Sequence, residues 1–109
     1  MRKGSVYCDD LLCGFIIQTD DNEFIFKYTD EWFADKNNKS ISLTLPMDKQ
    51  EYHSNILFPF FDGLIPEGYL LELAIKQLNI KTNDRMLLLL KTCANPIGNV
   101  SIHEVAEHE

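Results

Sequence analysis

The sequence predicts an α+β fold in which a small antiparallel sheet packs against about three to four short helices. Strand-like segments separated by turns fill the first half, and two helical patterns fill most of the second half. A final alternating segment then predicts a strand that returns to the sheet. Strands and helices that are segregated in this way favour an antiparallel sheet over βαβ units. At 109 residues, the chain is expected to form one domain over residues 1–109.

The N-terminal part predicts three strands joined by two turns. The strands are Ser5 to Cys8, Leu12 to Thr19, and Glu23 to Tyr28, the last of which is rich in residue types that favour strands. Asp9-Asp10 and residues 20–22 supply the turns. The first two strands, joined by Asp9-Asp10, are therefore predicted to form a hairpin, although Asp-Asp is a weaker turn signal than Asn-Gly.

A short helix and a fourth strand are predicted next. Thr29 or Asp30 can cap a helix that runs through Asp35. From Ser40 to Leu45, apolar and polar residues alternate strictly, which predicts a half-buried strand. Residues 47–55 are predicted to be a polar connection.

Two helices and a closing strand complete the prediction. Pro66 suits the first position of an amphipathic helix that extends to about Asn79. Thr82 is predicted to cap a second helix, which Asn95-Pro96 ends. The alternation from Asn99 to Val105 predicts the returning strand.

Composition excludes several classes of partner. Ten Lys and Arg against 17 Asp and Glu give a net charge of −7, which argues against binding to nucleic acid or to anionic membranes. The longest strongly apolar run, residues 86–90, is far shorter than the ~20 residues of a membrane span. Three cysteines, Cys8, Cys13 and Cys93, fit reduced thiols, so we expect a cytoplasmic location.

No pattern of residues predicts catalysis, a cofactor or a metal site. The five glycines do not form a phosphate-binding loop. The histidines and cysteines lack the spacing of metal ligands, and the acidic residues cluster in turns and in the C-terminal tail, as is typical of solvated charge. We therefore expect a protein that is not an enzyme and that needs no cofactor or metal.

One dense group, the aromatic segment (residues 58–69), holds four aromatic residues, two prolines and two glycines. Two interpretations remain open: a core wedge beneath the two helices, or an edge that binds another protein. Tyr69 is the favoured exposed anchor. The candidate partner-binding residues are Phe61, Asp62, Leu64, Ile65, Pro66, Glu67 and Tyr69.

Four motifs, in order along nearly the whole chain, resemble the N-terminal subdomain of HipA-type serine/threonine kinase toxins. They are Phe26-Lys27-Tyr28-x-x-Glu31-Trp32-x-Ala34, Ser42-Leu43-x-Leu45-Pro46, Phe60-Phe61-Asp62-x-Leu64-Ile65-Pro66-Glu67-Gly68 and Ile97-Gly98-x-Val100. The sequence departs from the resemblance at Cys93-Ala94-Asn95-Pro96, where HipA-type kinases tend to carry a Gly-Arg-Asp-type segment. Contacts made by that Arg and Asp are therefore not expected here.

The resemblance implies a fold and a function. The fold would be a small sheet or barrel with capping helices. The function would be that of HipS, the small subunit of HipBST toxin–antitoxin systems, which binds and inhibits the HipT kinase. A HipB-like DNA-binding protein would be a third member. The alternatives are a scaffold that links the kinase to that protein without inhibiting it and, less favoured, a free-standing enzyme or small-ligand module.

Overall fold

A computed structural model describes residues 1–66, 72–73, 75–77, 79, 84–94 and 99–105. Within these residues, five strands and three helices have defined bounds. The strands are β1 (Arg2–Cys8), β2 (Leu11–Gln18), β3 (Phe24–Tyr28), β4 (Glu51–Ser54) and β5 (Val100–Val105). The helices are α1 (Asp30–Ala34), α2 (Pro59–Asp62) and α3 (Arg85–Thr92).

The strands form one antiparallel sheet in the order β4-β3-β2-β1-β5. This confirms the α+β prediction, and of the two forms left open, sheet or barrel, the described strands adopt an open sheet. β1 and β2 are joined by Asp9 and Asp10, whose φ angles are 51° and 68°. Positive φ at both positions is the geometry of a type I′ hairpin turn, which matches the twist of the strands.

Helix α3 packs closely across one face of the sheet. At Gly4 in β1, an added Cβ would lie 2.7 Å from Leu90 Cδ2 and 2.9 Å from Ile102 Cγ2, so only glycine allows this approach. Phe26 from β3 is fully buried on the same face. The core therefore lies between the sheet and the helices that follow β4 in the sequence.

The predicted strand from Ser40 to Leu45 is wrong. Residues 40–47 form a loop, which we call the clamped loop, and β4 lies later, in the stretch predicted to be a polar connection. The Tyr28 hydroxyl donates to Leu45 O (2.5 Å) and accepts from the Ile41 N–H (3.0 Å). Because a side chain satisfies these backbone groups, they need no neighbouring strand.

The helix boundaries are partly as predicted. Thr29 caps α1, accepting from the Trp32 N–H at 3.2 Å. The cap of α3 is Asp84 rather than the predicted Thr82, which lies outside the described residues; Asp84 accepts from the Leu87 N–H. Residues 72–73 and 75–77 are helical, within the helix predicted from Pro66 to Asn79.

Candidate protein-binding surface

The first part of the aromatic segment is anchored in the core by its rings. Phe61 is fully buried, and its ring centroid lies 5.4 Å from that of Phe26, 6.3 Å from that of Phe58 and 5.2 Å from that of Phe60. Ile65 is also buried. The core-wedge interpretation therefore holds for Phe58, Phe61 and Ile65.

The candidate residues fall into three groups. Phe61 and Ile65 are buried, whereas Asp62, Leu64 and Pro66 are partly exposed. Glu67 and Tyr69 lie outside the described residues. The described part of the segment therefore exposes parts of Asp62, Leu64 and Pro66 to solvent, while Phe61 and Ile65 hold it in the core. Its binding to a partner stays a prediction.

Local geometry explains this division. Pro59 begins α2, where its missing N–H leaves no helical bond unmade. The Gly63 N–H donates to Pro59 O at 2.9 Å, and the Leu64 N–H donates to Phe61 O at 3.0 Å. The chain thus turns within six residues, which places Phe61 towards the sheet and Asp62 towards α3.

One ion pair joins the aromatic segment to α3, and a second joins the start of α3 to β1. Arg85 Nε donates to Asp62 Oδ1 at 2.7 Å. Both terminal nitrogens of Arg2 donate to the Asp84 carboxylate, at 2.5 and 3.0 Å, and this hydrogen bonding raises the pKa of Arg2. A bidentate pair of this kind fixes orientation as well as distance. The start of α3 is therefore held from two sides.

Beside these pairs lies a groove of about 450 Å³ that is lined by both apolar and polar side chains. Ile56, 66% exposed, stands at this groove. Its N–H donates to Ser54 Oγ at 3.2 Å, in a turn that follows β4. The other lining residues are Gln18, Phe24, Asn55, Leu57, Pro59, Asp62, Asp84, Arg85 and Met86.

Sequence reasoning missed Ile56 and Arg85 as members of this surface. Ile56 lies in the same apolar run as Phe58 and Phe61, and nothing in the run marks it as the exposed member. The only signal is the Ser54-Asn55 pair before it, because serine side chains often close local turns. Arg85 joins Asp62 across 23 positions, a contact that spacing alone does not reveal.

The described residues offer no reactive thiol. Burial raises the pKa of Cys13 to about 12, with a smaller contribution from Cys8, and burial also raises the pKa of Cys93. Desolvation, followed by the charge of Asp9, raises the pKa of Cys8. All three thiols therefore stay protonated near neutral pH, and the thiolate is the nucleophilic form.

His53 is paired with two carboxylates. His53 lies between Glu51, at 2.6 Å, and Glu23, at 3.3 Å, and hydrogen bonds to these carboxylates raise its pKa.

Across the described parts of the chain, no three His, Cys, Asp or Glu residues are grouped so that they could hold a metal ion. In the same parts, no helix is long and apolar enough to cross a membrane.

Residues 4–103 match the family model described as the HipA N-terminal domain. The chain belongs to this family. In structure it is similar to the N-terminal domain of a HipA toxin, with a TM-score of 0.75 and 25% sequence identity over 98% of this chain and 95% of that one.

Two relatives in sequence are similar over different lengths. A Haemophilus influenzae protein described as uncharacterized is 31% identical over 104 residues, which are 95% of this chain and 93% of that protein. The putative kinase Y4mE of Sinorhizobium fredii is 30% identical over 67 residues, which are 62% of this chain and 16% of that protein. The domain is thus similar both to a small protein and to a minor part of a much longer one.

Proposed function

We propose that this chain is an antitoxin-like regulatory subunit that binds and inhibits a HipA-type, HipT-like serine/threonine kinase. The observation that carries the proposal is its membership of the HipA N-terminal domain family over residues 4–103. The match to a minor part of a putative kinase supports association with a kinase. The chain would dock on the kinase in the place of that enzyme's own N-terminal domain.

The surface beside α2 is the contact we propose for the kinase. Ile56 supplies an exposed apolar anchor, and Asp62 lines the same groove. Leu64 and Pro66, which follow α2 in the sequence, are partly exposed and complete the proposed contact. Binding energy in protein interfaces concentrates on a few such anchors within a polar rim. Phe61, fixed in the core, supports this surface from below, and inhibition would follow from steric contact with the nucleotide-binding lobe of the kinase.

Co-expression with a HipT-like kinase from the same genome, followed by a pull-down and a growth assay, tests the function. A kinase that co-purifies and loses its toxicity supports an inhibitory subunit. Co-purification with toxicity intact contradicts inhibition and favours the alternative scaffold that links the kinase to a HipB-like DNA-binding protein. A kinase that does not co-purify contradicts both.

A matched pair of variants tests the surface. Ile56→Asp places a charge at the groove, whereas Leu11→Asp places the same charge on a leucine of similar exposure, 62%, beside the first hairpin turn. We expect Ile56→Asp to weaken kinase binding about tenfold or more, since anchor residues contribute at that level. Leu11→Asp should bind the kinase like the unmodified chain. If both variants lose the same affinity, the groove at Ile56 is not the contact surface.

Tyr69→Ala tests the remaining predicted anchor of the aromatic segment. We expect weaker neutralisation of the kinase while the circular dichroism spectrum of the chain stays unchanged. Full neutralisation by this variant would place the inhibitory contact elsewhere on the chain.

A further inference from the structure

The clamped loop displays Leu43 to solvent. Its side chain is 100% exposed, whereas Leu45, two residues later, is buried. Strict alternation would have placed both on one face of a strand. Scattered surface leucines are common, so exposure alone decides nothing, and the construction of the loop carries the argument.

The tip of the loop is closed by its own hydrogen bonds. The Leu45 N–H donates to Ser42 O at 3.2 Å, and the Thr44 N–H donates to Ser42 Oγ at 3.2 Å. The Ser42 and Thr44 hydroxyls lie 2.9 Å apart. These contacts fix the backbone on both sides of Leu43.

The base of the loop is fixed to two strands. Besides the two hydrogen bonds of the Tyr28 hydroxyl, the Tyr52 hydroxyl in β4 donates to Pro46 O at 2.6 Å. The Met47 N–H donates to Ser40 Oγ at 2.8 Å. The loop is therefore held at Ile41, Leu45, Pro46 and Met47, and a loop backbone held in this way loses little conformational freedom on binding.

We propose that Leu43 is a second anchor for the kinase partner and inserts into an apolar pocket on that protein. The inference rests on the proposed function and adds a contact beyond the surface beside α2. In the putative kinase, the matched 67 residues are 16% of the chain. A domain of this kind therefore occurs joined to a much larger region in a putative kinase, so a kinase is the partner to which we assign the contact with Leu43.

A second copy of this chain is a less suitable occupant. Each copy carries a net charge of −7, so two copies repel each other.

The test compares Leu43→Ser with Leu11→Ser by titrating each purified chain against the purified kinase. We expect Leu43→Ser to weaken binding about tenfold or more, because an apolar anchor is lost, while its melting temperature stays unchanged. Leu11→Ser should bind within about twofold of the unmodified chain. Leu43→Met, which keeps an apolar side chain of similar volume, should restore most of the binding.

The outcomes separate the inference from the proposed function. If the unmodified chain binds the kinase and Leu43→Ser binds equally well, the inference is wrong and the proposed function stands. If the unmodified chain does not bind, the proposed function fails and the inference with it. If Leu43→Ser changes only self-association, measured by sedimentation, the occupant is a second copy and the inference is overturned.

Discussion

The aromatic segment and the clamped loop are both rich in apolar residues, yet different forces hold them. Phe61 in the segment is fixed by ring contacts inside the core. The loop is fixed by hydrogen bonds from two tyrosines and several backbone groups, and its central leucine touches water. The stability of the segment therefore depends on apolar burial, and that of the loop on polar contacts that surround an exposed residue.

The largest effect should come from Phe61→Ala. Removal of a fully buried ring loses its apolar burial and leaves a cavity, which costs about 3–5 kcal/mol of unfolding free energy. Leu43→Ala is the matched control, and we expect a change within about 0.5 kcal/mol because Leu43 is fully exposed. Urea unfolding followed by tryptophan fluorescence measures both. Similar losses of unfolding free energy in the two variants would contradict the contrast between the buried segment and the exposed loop.

A smaller loss should follow from Tyr28→Phe. The buried hydroxyl serves both Leu45 O and the Ile41 N–H, so its removal leaves those groups without this partner and costs about 1–3 kcal/mol. Faster hydrogen exchange at the Ile41 amide would place the loss in the clamped loop. Tyr7→Phe, a ring that packs edge-on against His103, is the control. Unchanged exchange at Ile41 would show that the hydroxyl does not hold the loop.

The same contrast explains which parts of the fold could be predicted. Four of the strands and the Thr29 cap follow from local pattern, and the structure places them within a few residues of the prediction. The Ser40–Leu45 alternation failed because Tyr28, 13 to 17 positions away, supplies the hydrogen bonds that a strand partner would supply. Periodicity carries no information on such a distant side chain.

The candidate surface was predicted only in part for a related reason. Aromatic density located the segment, but it could not separate Phe61, which faces the sheet, from Asp62, which faces α3. That division depends on the tight turn after Pro59 and on Arg85, which is distant in sequence. The exposed Ile56 likewise depends on a turn set by Ser54, so its role could only be seen once β4 had been located.

The smallest effect concerns the ion pair between Asp62 and Arg85, which joins the aromatic segment to α3. Both side chains are partly exposed, so a double-mutant cycle of Asp62→Ala and Arg85→Ala should give a coupling of about 0.2–1 kcal/mol. The coupling should fall in 1 M salt, where screening acts over about 3 Å. A coupling as large as the loss in Phe61→Ala would mean that charge, and not the buried ring, holds the segment in place.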